Sequence, residues 1–255
     1  MTTILFLIFF GFGLIIGSFL NVVIYRMNTS RSLGGRSACM SCKQTLGPTE
    51  LIPLFSFLFL LGRCKNCKTK ISFQYPLVEF MTGFIFGVLF LKLQDIFLFS
   101  FLLTYAYYAT CFSILLVIAV YDFRHKIIPD QLAFAFGALA FLGLFFSGTS
   151  FHLPTFLQLL SGVFIALPFA LLWLVSRGAW IGLGDAKLVL GLGWFLGLGR
   201  AFSGVVLSFW AGAIIGLGLI FFKKGYGMKS EIPFAIYLVL GAFLAFIFDL
   251  HLFAL

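Results

Sequence analysis

The sequence contains little charge, and very little of that charge is acidic. Charged residues make up 10% of the 255 positions, and only eight of them are aspartate or glutamate. The chain has three histidines, no Gly-x-Ser-x-Gly turn and no His-Glu-x-x-His pair, which argues against a serine hydrolase or a zinc protease. It also lacks a Gly-x-Gly-x-x-Gly segment after a strand and a basic patch interleaved with aromatics. Neither a Rossmann-type domain nor nucleic-acid binding is therefore predicted.

Long apolar runs dominate the chain instead. It is 62% hydrophobic and contains 37 phenylalanines, more than a soluble core of this size could bury. Runs of about 20 apolar residues recur, and this is the length that crosses a bilayer. The sequence therefore predicts an all-α polytopic membrane protein with about eight transmembrane helices. The predicted spans are 4–25, 76–91, 97–121, 131–147, 154–176, 186–199, 201–222 and 233–250.

Lysine and arginine are distributed unequally between the two predicted faces of the membrane. With the N-terminus outside, only Lys92 and Arg200 of the 17 cations face outward, so the positive-inside rule favours this orientation. The first span lacks a basic n-region and an Ala-x-Ala site, so we expect an anchor and not a cleaved signal peptide. The net charge of +9 is expected to face anionic lipid. The predicted cytoplasmic cations are Arg26, Arg31, Arg36, Lys43, Arg63, Lys65, Lys68, Lys70, Arg124, Lys126, Arg177, Lys187, Lys223, Lys224 and Lys229.

Residues 26–75 form one polar loop between the first two predicted spans. Four of the five cysteines lie here as two Cys-x-x-Cys pairs, a spacing that can bring four thiolates to one tetrahedral ion. Four protein ligands leave no position for water, so we predict a structural zinc site. Two disulfides are the alternative, which a reducing cytoplasm disfavours. The predicted zinc ligands are Cys39, Cys42, Cys64 and Cys67.

Three further positions have simpler predicted roles. The apolar stretch 51–60 within the loop is expected to lie on the membrane surface as a hairpin or a short helix. Cys111, inside an apolar span, is expected to act as a small hydrophobic side chain. Asp130 follows a proline and precedes an apolar run, so we predict that it caps the fourth span.

Two other aspartates lie at the inner ends of predicted spans. Asp122 ends the third span, where the helix dipole disfavours a negative charge, so a structural role needs a partner such as Arg124 or Lys126. Asp185 begins the sixth span after a Gly-x-Gly segment that allows close backbone approach, and both a capping and a chemical role are open for it. A carboxylate at the edge of the membrane hydrocarbon is energetically unfavourable, so we interpret this pair first as a functional site.

A pair of carboxylates at one membrane depth predicts a specific reaction. Two such groups within a few ångströms cannot both ionise, so they share a proton. One can then activate a water molecule while the other polarises a substrate carbonyl, which is peptide hydrolysis by an aspartic dyad. A transporter, or a zinc-regulated scaffold that uses the aspartates structurally, is the alternative.

Several segments of the chain resemble, in the same order, those of the type IV prepilin peptidases, which are membrane aspartic proteases with a Gly-x-Gly-Asp motif. The resemblance covers almost the whole chain. It departs from the family pattern after Phe234, because the second Gly-Pro of the family's Pro-Phe-Gly-Pro stretch is missing. The matching segments are 17–26, the two Cys-x-x-Cys pairs, 71–79, 122–130 and 182–188.

The resemblance implies a bifunctional enzyme in the plasma (inner) membrane of a prokaryote. Such enzymes cut the leader from prepilins and pseudopilins after a glycine at the cytoplasmic face, and then methylate the new N-terminal amine, usually of phenylalanine, with S-adenosylmethionine. A peptidase without methyltransferase activity is the alternative. The expected partners are prepilins or pseudopilins and membrane lipid, with no nucleic acid. The expected domains are a first span at 1–25, the metal-binding loop at 26–75 and a transmembrane peptidase domain at 76–255.

The resemblance also assigns roles to individual residues. Asp122 and Asp185 match the catalytic aspartates, and the four cysteines of the loop match the metal site. Glu79 is predicted to lie near the S-adenosylmethionine cofactor, with neutralisation of an arginine as the alternative role. The residues expected to support the aspartate pair are Gly182, Gly184 and Lys187.

Overall fold

The computed structural model describes residues 1–29, 32–96, 98–147, 150–222 and 232–252. These residues are mostly helical, with one short antiparallel hairpin of β1 (Phe146–Ser147) and β2 (Ser150–Phe151). Of the predicted cytoplasmic cations, Arg31, Lys223, Lys224 and Lys229 lie outside the described residues. The helices are α1 (Thr2–Arg26), α2 (Phe55–Phe59), α3 (Gln74–Leu93), α4 (Leu98–His125), α5 (Asp130–Gly143), α6 (Phe156–Ser176), α7 (Leu183–Leu196), α8 (Leu198–Phe222) and α9 (Ala235–Ile247).

Each of the eight predicted spans contains a helix, but in the part of the chain that the structure describes only five helices are long and apolar enough to cross a membrane: α1, α3, most of α4, α6 and α8. The helices α5, α7 and α9 have 13 or 14 residues, or about 20 Å of length, against about 30 Å of hydrocarbon. By length and composition, five membrane-crossing helices are therefore supported.

Two predicted spans have boundaries that differ from those of the helices they contain. The span placed at 131–147 ends at Gly143, because the chain then turns into the β1–β2 hairpin. The helix in the span placed at 186–199 begins earlier, at Leu183, and ends at Leu196. It ends there because Gly197 adopts φ 77°, and α8 begins at the next residue, Leu198.

The first compact unit comprises Met1–Ile96 and is built on α1 packed against α3. Glycines allow this close approach: a Cβ atom at Gly13 would lie 2.8 Å from the Cα of Gly83. One turn before Gly13 on α1, the ring of Phe9 stacks on the ring of Phe90 of α3, with centroids 4.8 Å apart. The 26–75 loop joins the two helices, so both of its ends are fixed by the same helix pair.

The second compact unit comprises Phe97–Leu255, and within it α7 packs against α5, α6, α8 and α9. Helices α5 and α6 pack against α7 on either side of its glycines, and α8 and α9 pack against each other. A Cβ atom at Gly193 would lie 2.5 Å from the Cα of Gly162, and the Ser161 hydroxyl donates to the Gly193 carbonyl at 2.9 Å. The fully buried Phe112 packs edge-on against Phe195. These contacts fix the C-terminal half of α7.

Candidate functional sites

The two cysteine pairs of the first unit lie in two turns with the same hydrogen-bond pattern. In the first turn the amide of Lys43 donates to the Cys39 carbonyl; in the second, the amide of Lys68 donates to the Cys64 carbonyl. Both lysines have a left-handed backbone, with φ 57° and 58°. One further backbone pair closes each turn, Ala38 with Thr45 and Arg63 with Lys70. The chain therefore repeats one metal-knuckle geometry twice.

The four cysteines predicted as zinc ligands are brought together. The sulfur atoms of Cys39, Cys42, Cys64 and Cys67 all lie within 4.8 Å of one another, and none is in a disulfide. Zinc–sulfur bonds of about 2.3 Å place tetrahedral sulfurs about 3.8 Å apart, and the Cys39 and Cys67 sulfurs are 3.7 Å apart. Hydrogen bonds from the Thr69 hydroxyl and amide lower the pKa of Cys67 to about 6, which favours the thiolate. The donor set thus fits one zinc ion.

A cavity of about 560 Å³ lies beside the cysteine turns in the first unit. Its size is in the range of small-molecule sites. The wall combines residues of the metal turns, such as Cys39 and Cys64, with residues of α1 and α3. The rings of Tyr25 and Tyr75 stack beside it at 4.9 Å, and the Arg26 guanidinium donates to two loop carbonyls at 2.7 Å. The cavity wall therefore depends on the loop that the cysteines organise.

Glu79 is a buried carboxylate on the wall of this cavity, only 8% exposed. Its Oε2 atom accepts a hydrogen bond from the Leu54 amide at 2.8 Å, and the Ser18 hydroxyl is a second partner. Among the described residues its partners are therefore hydrogen-bond donors and not an arginine. Leu54 has φ 60° and occupies the N-cap position of the short helix α2. Through this bond Glu79 also holds the apolar segment of the loop.

In the second unit, Asp122 lies in the last turn of α4 and is 6% exposed. The helix ends just beyond it: the Lys126 amide bonds to the Asp122 carbonyl at 2.7 Å, with Lys126 at φ 55°. The Asp122 carboxylate accepts the backbone N–H of Ala235, the first residue of α9, at 3.1 Å. A helix N-terminus therefore compensates the charge that the end of α4 disfavours.

Asp185 lies in the first turn of α7, ahead of the apolar segment 186–199. Its amide donates to the carbonyl of Gly182, which occupies the N-cap position. Burial raises the pKa of Asp185 to about 7, and the negative charge of Asp122 adds to this shift. The two carboxylates are thus close enough for their charges to interact, and Asp185 is able to hold a proton at neutral pH.

The glycines before Asp185 provide space. The backbone angles of Gly182 are ordinary, but a Cβ atom there would lie 3.3 Å from the Asp185 carboxylate. A Cβ atom at Gly184 would lie 2.9 Å from the Cβ of Ile128, in the segment between α4 and α5. The first turn of α7 therefore packs directly on the segment that follows Asp122.

Lys187 forms an ion pair with Asp130, with Nζ 2.7 Å from Oδ1. The prediction that Asp130 caps the fourth span was wrong: Pro129 occupies the cap position, and Asp130 is the first helical residue. The ion pair links the first turns of α5 and α7. Lys187 also lies over the ring of Phe134, 5.3 Å from its centroid.

Sequence reasoning missed the backbone partners of the acidic groups. Ala235 and Leu54 contribute through their amides, which every residue except proline carries, so no side-chain pattern indicates them. Ile128 was missed for a similar reason, because its role is steric. The only available signal was Pro233, which marks a helix start close to Ala235.

Comparison with known proteins gives a consistent result. Residues 12–93 match the bacterial peptidase A24 N-terminal domain, and residues 109–220 match the type IV leader peptidase family. A prepilin leader peptidase/N-methyltransferase from Bacillus subtilis is 31% identical over 245 residues, 94% of this chain and 93% of the relative. Proteins of the same name from Aeromonas salmonicida (30% over 270 residues, 92% and 88%) and Myxococcus xanthus (35% over 229 residues, 87% and 65%) are similar.

No solved structure matches the chain. The sequence matches nevertheless cover both compact units, one family description on each. The segments that carry them contain the four cysteines, Glu79 and both aspartates. The chain therefore belongs to the type IV leader peptidase family, the prepilin peptidases.

Proposed function

We propose that the protein cleaves the N-terminal leader of type IV prepilins or pseudopilins after a glycine, and methylates the amine that cleavage exposes. The observation that carries the peptidase function is the pair of interacting carboxylates, Asp122 and Asp185, at the ends of two apolar helices. Relatives named prepilin leader peptidase/N-methyltransferase support both activities.

The two aspartates have different roles in the proposed cleavage. Asp185 holds the shared proton, and Asp122, which accepts the Ala235 amide, is the carboxylate that activates water. The water oxygen bonds to the scissile carbonyl carbon while its proton passes to Asp122, and Asp185 protonates the carbonyl oxygen. Collapse of the resulting diol breaks the C–N bond: the amine leaves with the proton from Asp122, and one diol hydroxyl returns its proton to Asp185 as the C=O bond re-forms.

The proposed topology has eight spans, an outside N-terminus and cytoplasmic aspartates and cysteines, in the plasma membrane of a prokaryote. It supports a division into a first span at 1–25, a zinc-binding loop at 26–75 and a peptidase domain at 76–255. In this arrangement a prepilin presents its leader in the cytoplasm and its apolar helix in the bilayer. The scissile bond then lies at the cytoplasmic membrane surface, where the aspartates are also proposed to lie.

The methyl transfer is assigned to the cavity of the first unit. S-adenosylmethionine, when bound, supplies an activated methyl group on a sulfonium. Glu79 provides a negative charge on the cavity wall, which suits a cationic ligand. The four cysteines would hold a zinc ion that fixes the loop contributing to the cavity wall, with no open position left for chemistry.

Cleavage of a model prepilin by the detergent-purified chain tests the peptidase function. We expect Asp122→Asn and Asp185→Asn each to lower the cleavage rate by about 10²- to 10⁴-fold, because each removes one partner of the proton transfer. Asp249→Asn is the matched control, since Asp249 is an exposed aspartate of the same unit. Undiminished cleavage by either site variant would contradict the dyad, and transfer of a labelled methyl group separates the bifunctional enzyme from a peptidase alone.

A further inference from the structure

Asn21 is a buried polar side chain on the wall of the cavity in the first unit. It is only 1% exposed and lies on α1, opposite the start of α3. Its Nδ2 atom donates to the carbonyls of Gly17 and Tyr75, at 3.3 and 3.1 Å. These two acceptors fix the amide orientation, because the reversed orientation would place its oxygen against two carbonyl oxygens.

The other atom of this amide, Oδ1, receives no hydrogen bond from the part of the chain that the structure describes. A buried acceptor without a donor destabilises the fold, and such groups are rare in folded proteins. The amide itself cannot turn to relieve the deficit. A hydrogen-bond donor that enters the cavity is the simplest way to satisfy Oδ1.

Glu79 adds a second acceptor on the same cavity wall. Its carboxylate accepts from Leu54 and Ser18, and an ionised carboxylate has about four acceptor positions, so it can accept further donors. Asn21 Oδ1 is an acceptor only, and so is the Glu79 carboxylate when it is ionised. This part of the wall therefore fits a group that carries N–H donors and positive charge. A sulfonium has the charge but no hydrogen to donate, whereas the ammonium form of a primary amine has both.

We propose that Asn21 Oδ1 and the Glu79 carboxylate bind the primary amine that receives the methyl group. The proposal rests on the methyl transfer proposed above and names the groups that hold its acceptor. The bound ammonium first releases one proton to solvent; with its two remaining N–H bonds directed to these oxygens, the nitrogen lone pair is left for the methyl carbon. The new C–N bond forms as the C–S bond breaks and its electron pair stays on sulfur, and the proton that the nitrogen releases passes to Glu79.

Binding of two synthetic peptides to the full chain in detergent tests the proposal by calorimetry. One peptide begins with phenylalanine and has a free amino terminus; the other is its N-acetylated twin. We expect the free amine to bind about ten- to a hundredfold more tightly, because acetylation removes the charge and donors that the two oxygens require. In Asn21→Leu we expect this preference to fall by about tenfold or more, with the affinity for S-adenosylmethionine unchanged.

Thr82→Val is the matched control. Thr82 is equally buried in the same helix pair, but its hydroxyl bonds to Val78 and does not line the cavity. We expect Thr82→Val to keep the amine preference, the cofactor affinity and the zinc content.

Two results would overturn the proposal. One is equal binding of the free and acetylated peptides by the native chain. The other is a loss of S-adenosylmethionine affinity in Asn21→Leu that matches the loss of peptide affinity, because Oδ1 would then accept from an amino group of the cofactor. A native chain that prefers the free amine but never binds the cofactor would support the amine site and contradict the methyl transfer, so the two failures are distinguishable.

Discussion

The two compact units build their candidate sites in opposite ways. In the first unit, four sulfurs and the cavity beside them are held by a loop whose turns are closed by single backbone pairs. In the second unit, Asp122 and Asp185 are held by the ends of packed helices. The shape of the first site therefore depends on a loop that can hold a metal ion, whereas the shape of the second depends on helix packing.

The charges around the two sites also differ. The cavity of the first unit has cationic residues on its wall together with the buried carboxylate of Glu79, so it can attract both ends of a zwitterionic ligand. The second site places two carboxylates close together; burial raises the pKa of Asp185 to about 7 and the charge of Asp122 adds to this shift, so Asp185 can hold a proton at neutral pH. The cavity of the first unit suits the binding of a charged ligand, and we assign the proposed methyl transfer to it. The carboxylate pair of the second unit suits proton transfer, and we assign the proposed cleavage to it.

Removal of the predicted zinc ligands is expected to separate the two units by the largest effect. In the double variant Cys64→Ser/Cys67→Ser we expect loss of zinc and a fall in methyl transfer of about a hundredfold or more, because metal binding energy is folding energy for such a loop. Leader cleavage should fall much less, since it depends on the helices of the second unit. Metal analysis and both activities on one preparation measure this.

Cys111→Ala is the matched control for the metal variant, because Cys111 is a buried free thiol of α4 outside the cluster. It should keep both zinc and methyl transfer. Equal losses of cleavage and methylation in the double cysteine variant would show that the peptidase site also needs the metal.

Packing at the second site is tested by Gly184→Ala. The added Cβ would lie 2.9 Å from the Cβ of Ile128, so the first turn of α7 must shift and carry Asp185 with it. We expect leader cleavage to fall by about ten- to a hundredfold, since an overpacked contact costs about 1–3 kcal/mol. Gly218→Ala in α8 is the control, because a Cβ there meets nothing within 4 Å. Full cleavage by Gly184→Ala would show that this close packing is dispensable.

The pH dependence of the two reactions should have opposite signs. The pKa of Asp185 is raised to about 7 by burial and by Asp122, so its proton is present below that pH and lost above it. Cleavage should therefore fall about tenfold per unit as the pH rises above 7. Methyl transfer needs a neutral amine, whose usual pKa is about 8, so it should rise over the same range. Rate profiles with a prepilin and with a pre-cleaved peptide measure both.

The smallest expected effect concerns the ion pair between Lys187 and Asp130. Both side chains are partly exposed, so the pair should contribute less than about 1 kcal/mol. Lys187→Met should lower cleavage by no more than about fivefold, and Asp130→Asn should add little to it. A double-mutant cycle on the cleavage rate gives the coupling, and a loss above about a hundredfold would assign Lys187 a direct part in the reaction.

The sequence predicted the longer helices and the cysteine cluster more accurately than the contacts that hold the acidic residues. Apolar length located eight of the nine described α-helices, and two repeats of Cys-x-x-Cys led to four sulfurs that lie together in the structure. These features are local or periodic, so a single chain displays them. The boundaries at Gly143 and Gly197 were missed because a glycine in an apolar run does not reveal whether it packs or turns.

The partners of the buried acids could not be predicted. Asp122 is held by an amide 113 positions along the chain, and Glu79 by an amide 25 positions away. Backbone amides are common to almost all residues, so only the tertiary structure selects Ala235 and Leu54. Asn21 shows the same limit, because its unsatisfied oxygen becomes apparent only when the neighbouring carbonyls are located.

The hydrogen bond from Ala235 to Asp122 also bears on how the enzyme is made. During synthesis both aspartates leave the ribosome well before α9, which begins at Ala235. Until α9 has formed and packed, the Asp122 carboxylate lacks the amide that holds it. A partly synthesised chain therefore contains both acids but not the assembled pair, and cleavage by the proposed dyad begins only when α9 is in place.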